Sequence, residues 1–166
     1  VYALKRHATP RVEAPLFGVF SEYVIGLKDY GRLLRSEDAK LRAGLPPSSL
    51  DKPFLDLRQW PLAGAQALDA HTLQIRIQGK YPQWKYWMQM TFTAPVPWEA
   101  DAFYAQPGFA ERGMTLDQWP VGTGPYKVVD FKPGDILRGQ ANTSYHIANQ
   151  PFFDTLEVKG GGDATS

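Results

Sequence analysis

A glycine-rich stretch at residues 120–135, PVGTGPYKVVDFKPGD, is the first candidate for binding chemistry in the chain. Glycine loops hold phosphate groups when they follow a strand and open a helix, because the helix amides then face the anion. Here Pro125 and two β-branched valines follow the glycines, and no Lys-Ser or Lys-Thr pair closes the motif. The residues therefore predict a structural turn at Gly122, Gly124 and Pro125, with positive φ at one of the glycines, followed by a strand.

The side chains that most often carry catalysis or bind metals show no spacing that predicts either role. Cysteine is absent, no serine lies in a Gly-x-Ser-x-Gly turn, and the His-Glu-x-x-His spacing does not occur. The histidines are predicted on a helix surface, in a hairpin turn and in a loop; they are His7, His71 and His146. Three aspartates are interpreted as turn formers: Asp51, Asp56 and Asp69. No catalytic residue, metal site or cofactor is predicted, and a hydrolase with unrecognised catalytic residues stays open as an alternative.

Aromatic residues are concentrated between residues 81 and 98, and this cluster has two interpretations. The rings are Tyr81, Trp84, Tyr86, Trp87, Phe92 and Trp98. Core packing is the favoured interpretation, because large rings bury much apolar area. The wall of a ligand cleft is the second, since one short helix cannot bury so many rings on one face. A third possibility is an exposed aromatic patch that binds a protein partner.

Length and charge limit the classes of protein that this chain can represent. Its 166 residues suffice for one domain with a core, and 43% hydrophobic with 21% charged residues is normal globular usage. The formal net charge of +1 and the lack of any long block of like charge predict no nucleic-acid partner. Neither end carries the residues expected at a natural terminus, so we expect a part of a longer protein.

The elements expected from periodicity and turn residues indicate an α+β fold. Residues 1–63 are predicted to be mainly helix and loop, with a turn at 8–15 and a helix at 16–43 that Gly26 and Gly31 interrupt. Residues 64–166 are predicted to hold strands, short helices and a β-hairpin. The predicted elements there are a hairpin at 64–78, a helix from Pro82, an extended segment and then a helix at 97–105, a hairpin at 126–141 around Pro133-Gly134, a strand at 152–160, and a helix N-cap at Asp163 or Ser166. Glu99 and Asp101 begin the helix at 97–105, where carboxylates favour the positive end of the helix dipole.

Several segments, taken in order, resemble one protein family. They are VYALKRHATPRVEAP, AQALDAHTLQIRI, FTAPVPWEADAFY, WPVGTGPYKVVDFKPGD and FFDTLEVKGGGDATS. Their order and spacing are similar to those of the family 5 extracellular solute-binding proteins of peptide-type ABC transporters, which include oligopeptide, dipeptide and nickel binders. Two features depart from the family pattern: His146 stands where a tryptophan is common, and the insert at residues 30–53 is long.

The resemblance implies a two-lobed periplasmic-binding-protein fold with a mixed or antiparallel β-sheet flanked by helices. It implies that residues 1–166 form part of the first lobe, with the second lobe outside this chain. The implied function is the substrate-binding component of an ABC importer, which captures a peptide or similar small solute and delivers it to the membrane permease without catalysis. The implied location is periplasmic or extracellular, with a lipid anchor at the cell surface as a further possibility.

The resemblance also implies which side chains contact the ligand. The cleft-facing segment of the family matches WMQMTFTAP, so the implied contacts are Met88, Met90, Thr91 and Phe92, with Trp60 and Tyr81 behind them. Nickel-type members carry an arginine in this segment, whereas Thr91 or a neighbour occupies its position here. A carboxylate clamp from this lobe is therefore not implied.

Overall fold

A computed structural model describes residues 1–12 and 14–160 of the chain. The chain forms two compact units, Val1–Gly113 and Met114–Ser166, each built from its own contacts. The described elements are α-helices, short 3₁₀ turns and two antiparallel sheets, which confirms the α+β fold class. The N-cap predicted at Asp163 or Ser166 lies outside the described residues. Within the described residues, no helix has both the length and the apolar character needed to span a membrane.

Three helices open the first unit: α1 (Tyr2–Arg6), α2 (Phe17–Tyr23) and α3 (Leu27–Arg42). The predicted interruption at Gly26 is confirmed, because this residue has a φ of +78° between α2 and α3. The predicted interruption at Gly31 is wrong. Gly31 lies buried inside α3, where an added Cβ would come within 2.7 Å of the Phe17 ring. The glycine therefore allows a close approach between helices and does not end one.

The core of the first unit centres on the α2 and α3 faces. Its fully buried side chains are Phe20, Val24, Leu27 and Leu34. Phe20 lies in α2 and Val24 follows the end of that helix, whereas Leu27 and Leu34 lie seven residues apart on one face of α3. Each such side chain contributes roughly 1.5–3 kcal/mol to the free energy of unfolding through burial alone.

A short hairpin adds to this core. Strands β1 (Ala65–Ala67) and β2 (Leu73–Ile75) pair antiparallel, as predicted for residues 64–78. The Asp69 carboxylate closes the turn by accepting hydrogen bonds from the amides of His71 and Thr72, both at 2.7 Å. The chain after β2 then bridges to α2, where the Gln78 amide donates to the Tyr23 carbonyl at 2.8 Å.

The aromatic-rich segment that follows differs from its prediction in two places. Helix α4 (Trp84–Trp87) begins two residues after Pro82, because the Trp84 amide first closes a turn onto the Tyr81 carbonyl at 3.0 Å. Residues Thr91–Thr93, predicted to be extended, form a 3₁₀ turn. The Thr93 hydroxyl donates to the Met90 carbonyl at 2.8 Å, which favours this turn. Helix α5 (Trp98–Tyr104) lies where the sequence predicts it.

The second unit is a three-stranded antiparallel sheet of order β3-β4-β5. The strands are β3 (Tyr126–Lys132), β4 (Ile136–Ala141) and β5 (Thr155–Lys159), in agreement with the predicted hairpin and final strand. Gly134 turns β3 into β4 with a φ of +77°. On one face, Arg138 of β4 donates to Asp130 at 3.0 Å and to Glu157 at 2.8 Å, which ties the three strands together.

The glycine-rich stretch from which the sequence predicts a turn lies at the start of this sheet. The backbone bends at residues 123–125 and enters β3 at Tyr126. The Asn142 side-chain amide donates to the Gly124 carbonyl at 3.0 Å. The predicted positive φ is wrong for both Gly122 and Gly124, because the positive-φ glycines lie elsewhere, including Gly134. The bend is thus made with ordinary backbone angles.

Candidate ligand-binding site

The first unit contains a partly open cavity of about 260 Å³. It lies between α1, the chain that leads from α1 to α2, and residues 91–96. Its walls are mostly aliphatic, with three polar side chains among them. The lining residues are Ala3, Arg6, His7, Val12, Ala14, Pro15, Leu16, Thr91, Phe92, Ala94 and Val96.

A cluster of rings supports the inner wall of this cavity. Phe20, which is fully buried, lies at its centre, with ring centroids of His7 at 5.1 Å and Phe92 at 6.1 Å. Trp84 and Trp87 complete the cluster at 5.3 and 6.2 Å from Phe20. Edge-to-face and tilted contacts of this kind are the favourable geometries for aromatic pairs. The Phe92 ring is thereby fixed against the core while 37% of the residue stays exposed.

His7 is the polar residue most deeply buried in this wall, with 8% of its surface exposed. Burial lowers the pKa of its imidazole; a hydrogen bond to the backbone of Phe92 acts in the opposite direction, and the charge of Arg6 lowers the pKa further. Its Nδ1 atom is buried without a hydrogen-bond partner. These surroundings favour the neutral imidazole at pH 7.

The predicted position of His7 on a helix surface is therefore wrong. The side chain follows the end of α1 and packs on Phe20. A signal for this was present in the sequence, since Leu4, His7 and Ala8 fall three and four residues apart on the buried side of α1. The predictions for His71 in a hairpin turn and for His146 in a loop are confirmed.

Arg6, the second polar residue of the wall, is neutralised by a carboxylate that comes from a distant part of the chain. Its Nε atom donates to both Asp101 oxygens of α5, at 2.9 and 3.1 Å. The Tyr2 hydroxyl also donates to Asp101, at 2.9 Å. Burial raises the pKa of Tyr2, and the Asp101 charge raises it further, so the phenol stays protonated. The sequence predicts Asp101 only as a helix-dipole partner, because a contact across 95 residues leaves no local pattern.

On the other side of α1, Lys5 holds the chain segment that carries Trp60. Its Nζ atom donates to the Leu57 carbonyl at 2.9 Å and to the Trp60 carbonyl at 2.6 Å. The Tyr30 hydroxyl donates to the same Leu57 carbonyl at 2.8 Å. Burial lowers the pKa of Lys5. This buried lysine fixes the backbone before β1 and is not among the residues that line the cavity.

The six side chains expected to contact the ligand fall into separate groups. Thr91 and Phe92 line the cavity. Met88 and Trp60 pack against the core cluster, and Met90 is 52% exposed on the surface. Tyr81 stacks on Tyr23 at 4.2 Å between ring centroids, and its hydroxyl accepts a hydrogen bond from Trp87 Nε1 at 2.7 Å.

The rings of the aromatic cluster have different surroundings. Trp84 and Trp87 pack against the core, as the favoured interpretation predicts. Phe92 contributes to a cavity wall, and the assignment of this wall to a ligand cleft stays a prediction. Tyr86 belongs to neither group, since 68% of it is exposed.

No metal centre is apparent in the described part of the chain. Residues 1–12 and 14–160 contain no group of three or more His, Cys, Asp or Glu side chains placed to hold an ion. Two of the aspartates interpreted as turn formers have that role, because Asp56 and Asp69 each accept a hydrogen bond from a backbone amide two residues later. Asp51 instead accepts from the Gly108 amide at 2.9 Å.

An apolar concave site with few polar groups is typical of proteins that bind small molecules. The family model for bacterial extracellular solute-binding proteins, family 5, middle region, matches residues 1–166, and the chain belongs to this family. Comparison with curated proteins gives no match. Members of this family are binding proteins that act outside the cytoplasm, take small-molecule ligands and work with ABC-type membrane transporters.

Proposed function

We propose that this chain forms part of the first lobe of the substrate-binding component of an ABC importer, and that it captures a peptide or a similar small solute. The observation that carries the proposal is the position of Thr91 and Phe92. These two side chains come from the segment that the family resemblance assigns to the cleft, and they line an apolar cavity. The captured solute would then be delivered to the membrane permease without chemical change.

The mechanism that we propose is apolar contact followed by closure. The Phe92 ring, fixed by Phe20 and His7, offers the solute a preorganised wall, which reduces the entropy lost on binding. Closure of a second lobe over the first would exclude water from the solute, as in hinge-type binding proteins. We further propose that Met88, Met90, Trp60 and Tyr81, which do not line this cavity, contact other parts of the solute.

We also propose where the protein works. Delivery to a permease requires the protein to stay close to the outer face of the cytoplasmic membrane. A periplasmic location, or a lipid anchor at the cell surface, would meet this requirement. Fractionation of cells with and without a lipoprotein-processing inhibitor would distinguish the two.

Thermal unfolding in the presence of peptides tests the proposed function. We expect di- to pentapeptides to raise the Tm of the full-length protein, because a ligand that binds only the folded state stabilises it. Phe92→Ala should reduce that increase, whereas Tyr86→Ala, an exposed aromatic of the same segment, should leave it unchanged. If no peptide raises the Tm of the full-length protein, the proposed solute class is wrong. Strong stabilisation of residues 1–166 alone would contradict the role proposed for a second lobe.

Neither alternative function gains support from the cavity. Its described lining includes one histidine and one threonine but no serine and no carboxylate, so the partners of a hydrolytic triad are missing from that wall. Screening with ester and glycoside substrates would detect such an activity.

The second alternative is a protein-interaction surface formed by exposed rings of the aromatic cluster. Most of these rings contribute to packing, and Tyr86 is the most exposed of them.

A further inference from the structure

The described walls of the cavity next to Phe92 present no uncompensated charge. Arg6 is the only ionised side chain among them, and its Nε bonds to both oxygens of Asp101. His7 is buried among rings, which favours its neutral form. Thr91 adds one neutral hydroxyl. A charged group entering this cavity would lose its hydration without gaining a free counter-charge from these walls.

The size of the cavity matches one side chain and not a whole peptide. An apolar cavity of about 150 Å³ is enough to accept a benzene molecule. The present cavity, at about 260 Å³, therefore has room for a phenyl ring or a branched aliphatic group with its first methylene. Whole drug-sized ligands occupy sites of roughly 300–1,000 Å³.

From these two features we infer that the cavity is a specificity pocket for one uncharged apolar side chain of the solute, either aromatic or branched aliphatic. This inference rests on the proposed solute-binding function and adds the chemical class of the group that is bound. Ala94 and Val96 form one aliphatic wall, Val12 and Leu16 come from the α1–α2 connection, and Phe92 supplies the ring. Peptides with Leu or Phe at the recognised position are the solutes that fit.

Calorimetric titration of the full-length protein with Ala-X-Ala tripeptides tests the pocket, with X as Gly, Leu, Phe, Lys or Glu. We expect Leu and Phe to bind roughly 10- to 100-fold more tightly than Gly, as burial of one apolar side chain predicts. Lys and Glu should bind no better than Gly.

Three substitutions locate the selectivity. Ala94→Phe should fill the pocket and abolish the preference for Leu and Phe, and because Ala94 is exposed and outside the core, the substitution leaves the core packing unchanged. Ala39→Phe, at an exposed position of α3 that does not line the cavity, is the matched control and should keep the preference. Val96→Ala enlarges the cavity and should improve the binding of Ala-Trp-Ala, added to the series, relative to Ala-Leu-Ala. This gives a second readout if Ala94→Phe fails to fold.

The outcomes separate the inference from the function on which it rests. Binding of all tripeptides with equal affinity, a preference for Glu or Lys, or a preference that survives Ala94→Phe would overturn the pocket and leave the solute-binding function standing. Failure of every tripeptide to bind would overturn the peptide-binding function, and the pocket with it. A preference for Leu and Phe that Ala94→Phe alone removes would support both.

Discussion

His7 links the stability of the first unit to pH. It is buried between α1 and the rings of Phe20 and Phe92, and burial lowers the pKa of its imidazole below the ordinary value of 6.5. The unfolded chain therefore binds a proton at a higher pH than the folded chain does. The stability that the neutral imidazole provides is complete above pH 6.5 and is lost as the pH falls through the folded-state pKa.

We predict that the free energy of unfolding decreases between pH 7.5 and pH 5 and that His7→Phe flattens this decrease. Urea unfolding at several pH values gives the measurement. His71→Gln, in an exposed hairpin turn, is the control and should keep the dependence of the unmodified protein. An identical pH dependence in His7→Phe and the unmodified protein would assign the effect to other groups.

Lys5 provides a second prediction at the level of single residues. Its replacement by methionine leaves the Trp60 carbonyl without its donor and the Leu57 carbonyl with Tyr30 alone. We expect Lys5→Met to lower the free energy of unfolding by about 1–3 kcal/mol, the cost of an unpaired buried acceptor. Lys28→Met, on the exposed side of α3, should change it by less than about 0.5 kcal/mol. Equal effects in chemical denaturation would show that the Lys5 hydrogen bonds contribute nothing.

Between elements, Gly64, just before β1, is the described glycine with the least room for a side chain. A Cβ at this position would lie 2.5 Å from the Ile25 carbonyl oxygen and 2.7 Å from a methyl group of Val24. Since backbone cannot move aside as a flexible side chain can, we predict that Gly64→Ala destabilises the first unit by roughly 1–3 kcal/mol.

The control for this prediction is Gly18→Ala in α2, where an added Cβ meets no atom within 4 Å. There the change should be neutral or should stabilise by up to about 1 kcal/mol, because alanine favours the helix. Thermal unfolding of both variants gives the comparison. A Gly64→Ala variant as stable as Gly18→Ala would contradict the close packing of the hairpin on α2.

Elements with a local signal are the ones that the sequence predicts well. The hairpin at Pro133-Gly134 has its turn residues within the strand pair, and the break at Gly26 needs only one residue with positive φ. The 3₁₀ turn at Thr91–Thr93 is not predicted because β-branched residues favour an extended chain. Here the Thr93 hydroxyl donates to the Met90 carbonyl and favours the turn instead. Gly31 is wrongly predicted to interrupt the helix, because its role depends on Phe17. This residue is distant from Gly31 in the sequence but close to it in space.

The difference between local signals and tertiary contacts also explains which residues of the candidate site are predicted. The family resemblance selects Thr91 and Phe92, and both line the cavity. His7 and Arg6 are missed because their roles depend on Phe20 and Asp101, and the second of these contacts spans 95 residues. When the partner of a polar side chain is far away in the sequence, the sequence contains no regular spacing that would predict the contact. Tertiary contacts, not local pattern, decide these two positions.

At the scale of the whole molecule, the core cluster of the first unit is made, among the described residues, of side chains from Val1–Gly113. The buried cluster runs from Leu4 to Ala65, and its half-buried neighbours extend to Met88. We therefore predict that a chain ending at Gly113 folds with a cooperative thermal transition. Circular dichroism of this truncated chain provides the measurement. A featureless melting curve with loss of helical signal would mean that the first unit depends on later residues.

We propose above that the protein binds peptide-like solutes through the wall that contains Phe92. Isothermal titration calorimetry of the full-length protein with Ala-Leu-Ala tests it most directly. We predict saturable binding with one site, and about tenfold or greater loss of affinity in Phe92→Ala, because the ring supplies much of the apolar contact. Absence of binding heat at millimolar peptide concentrations, or equal affinity in Phe92→Ala and the unmodified protein, would contradict the claim.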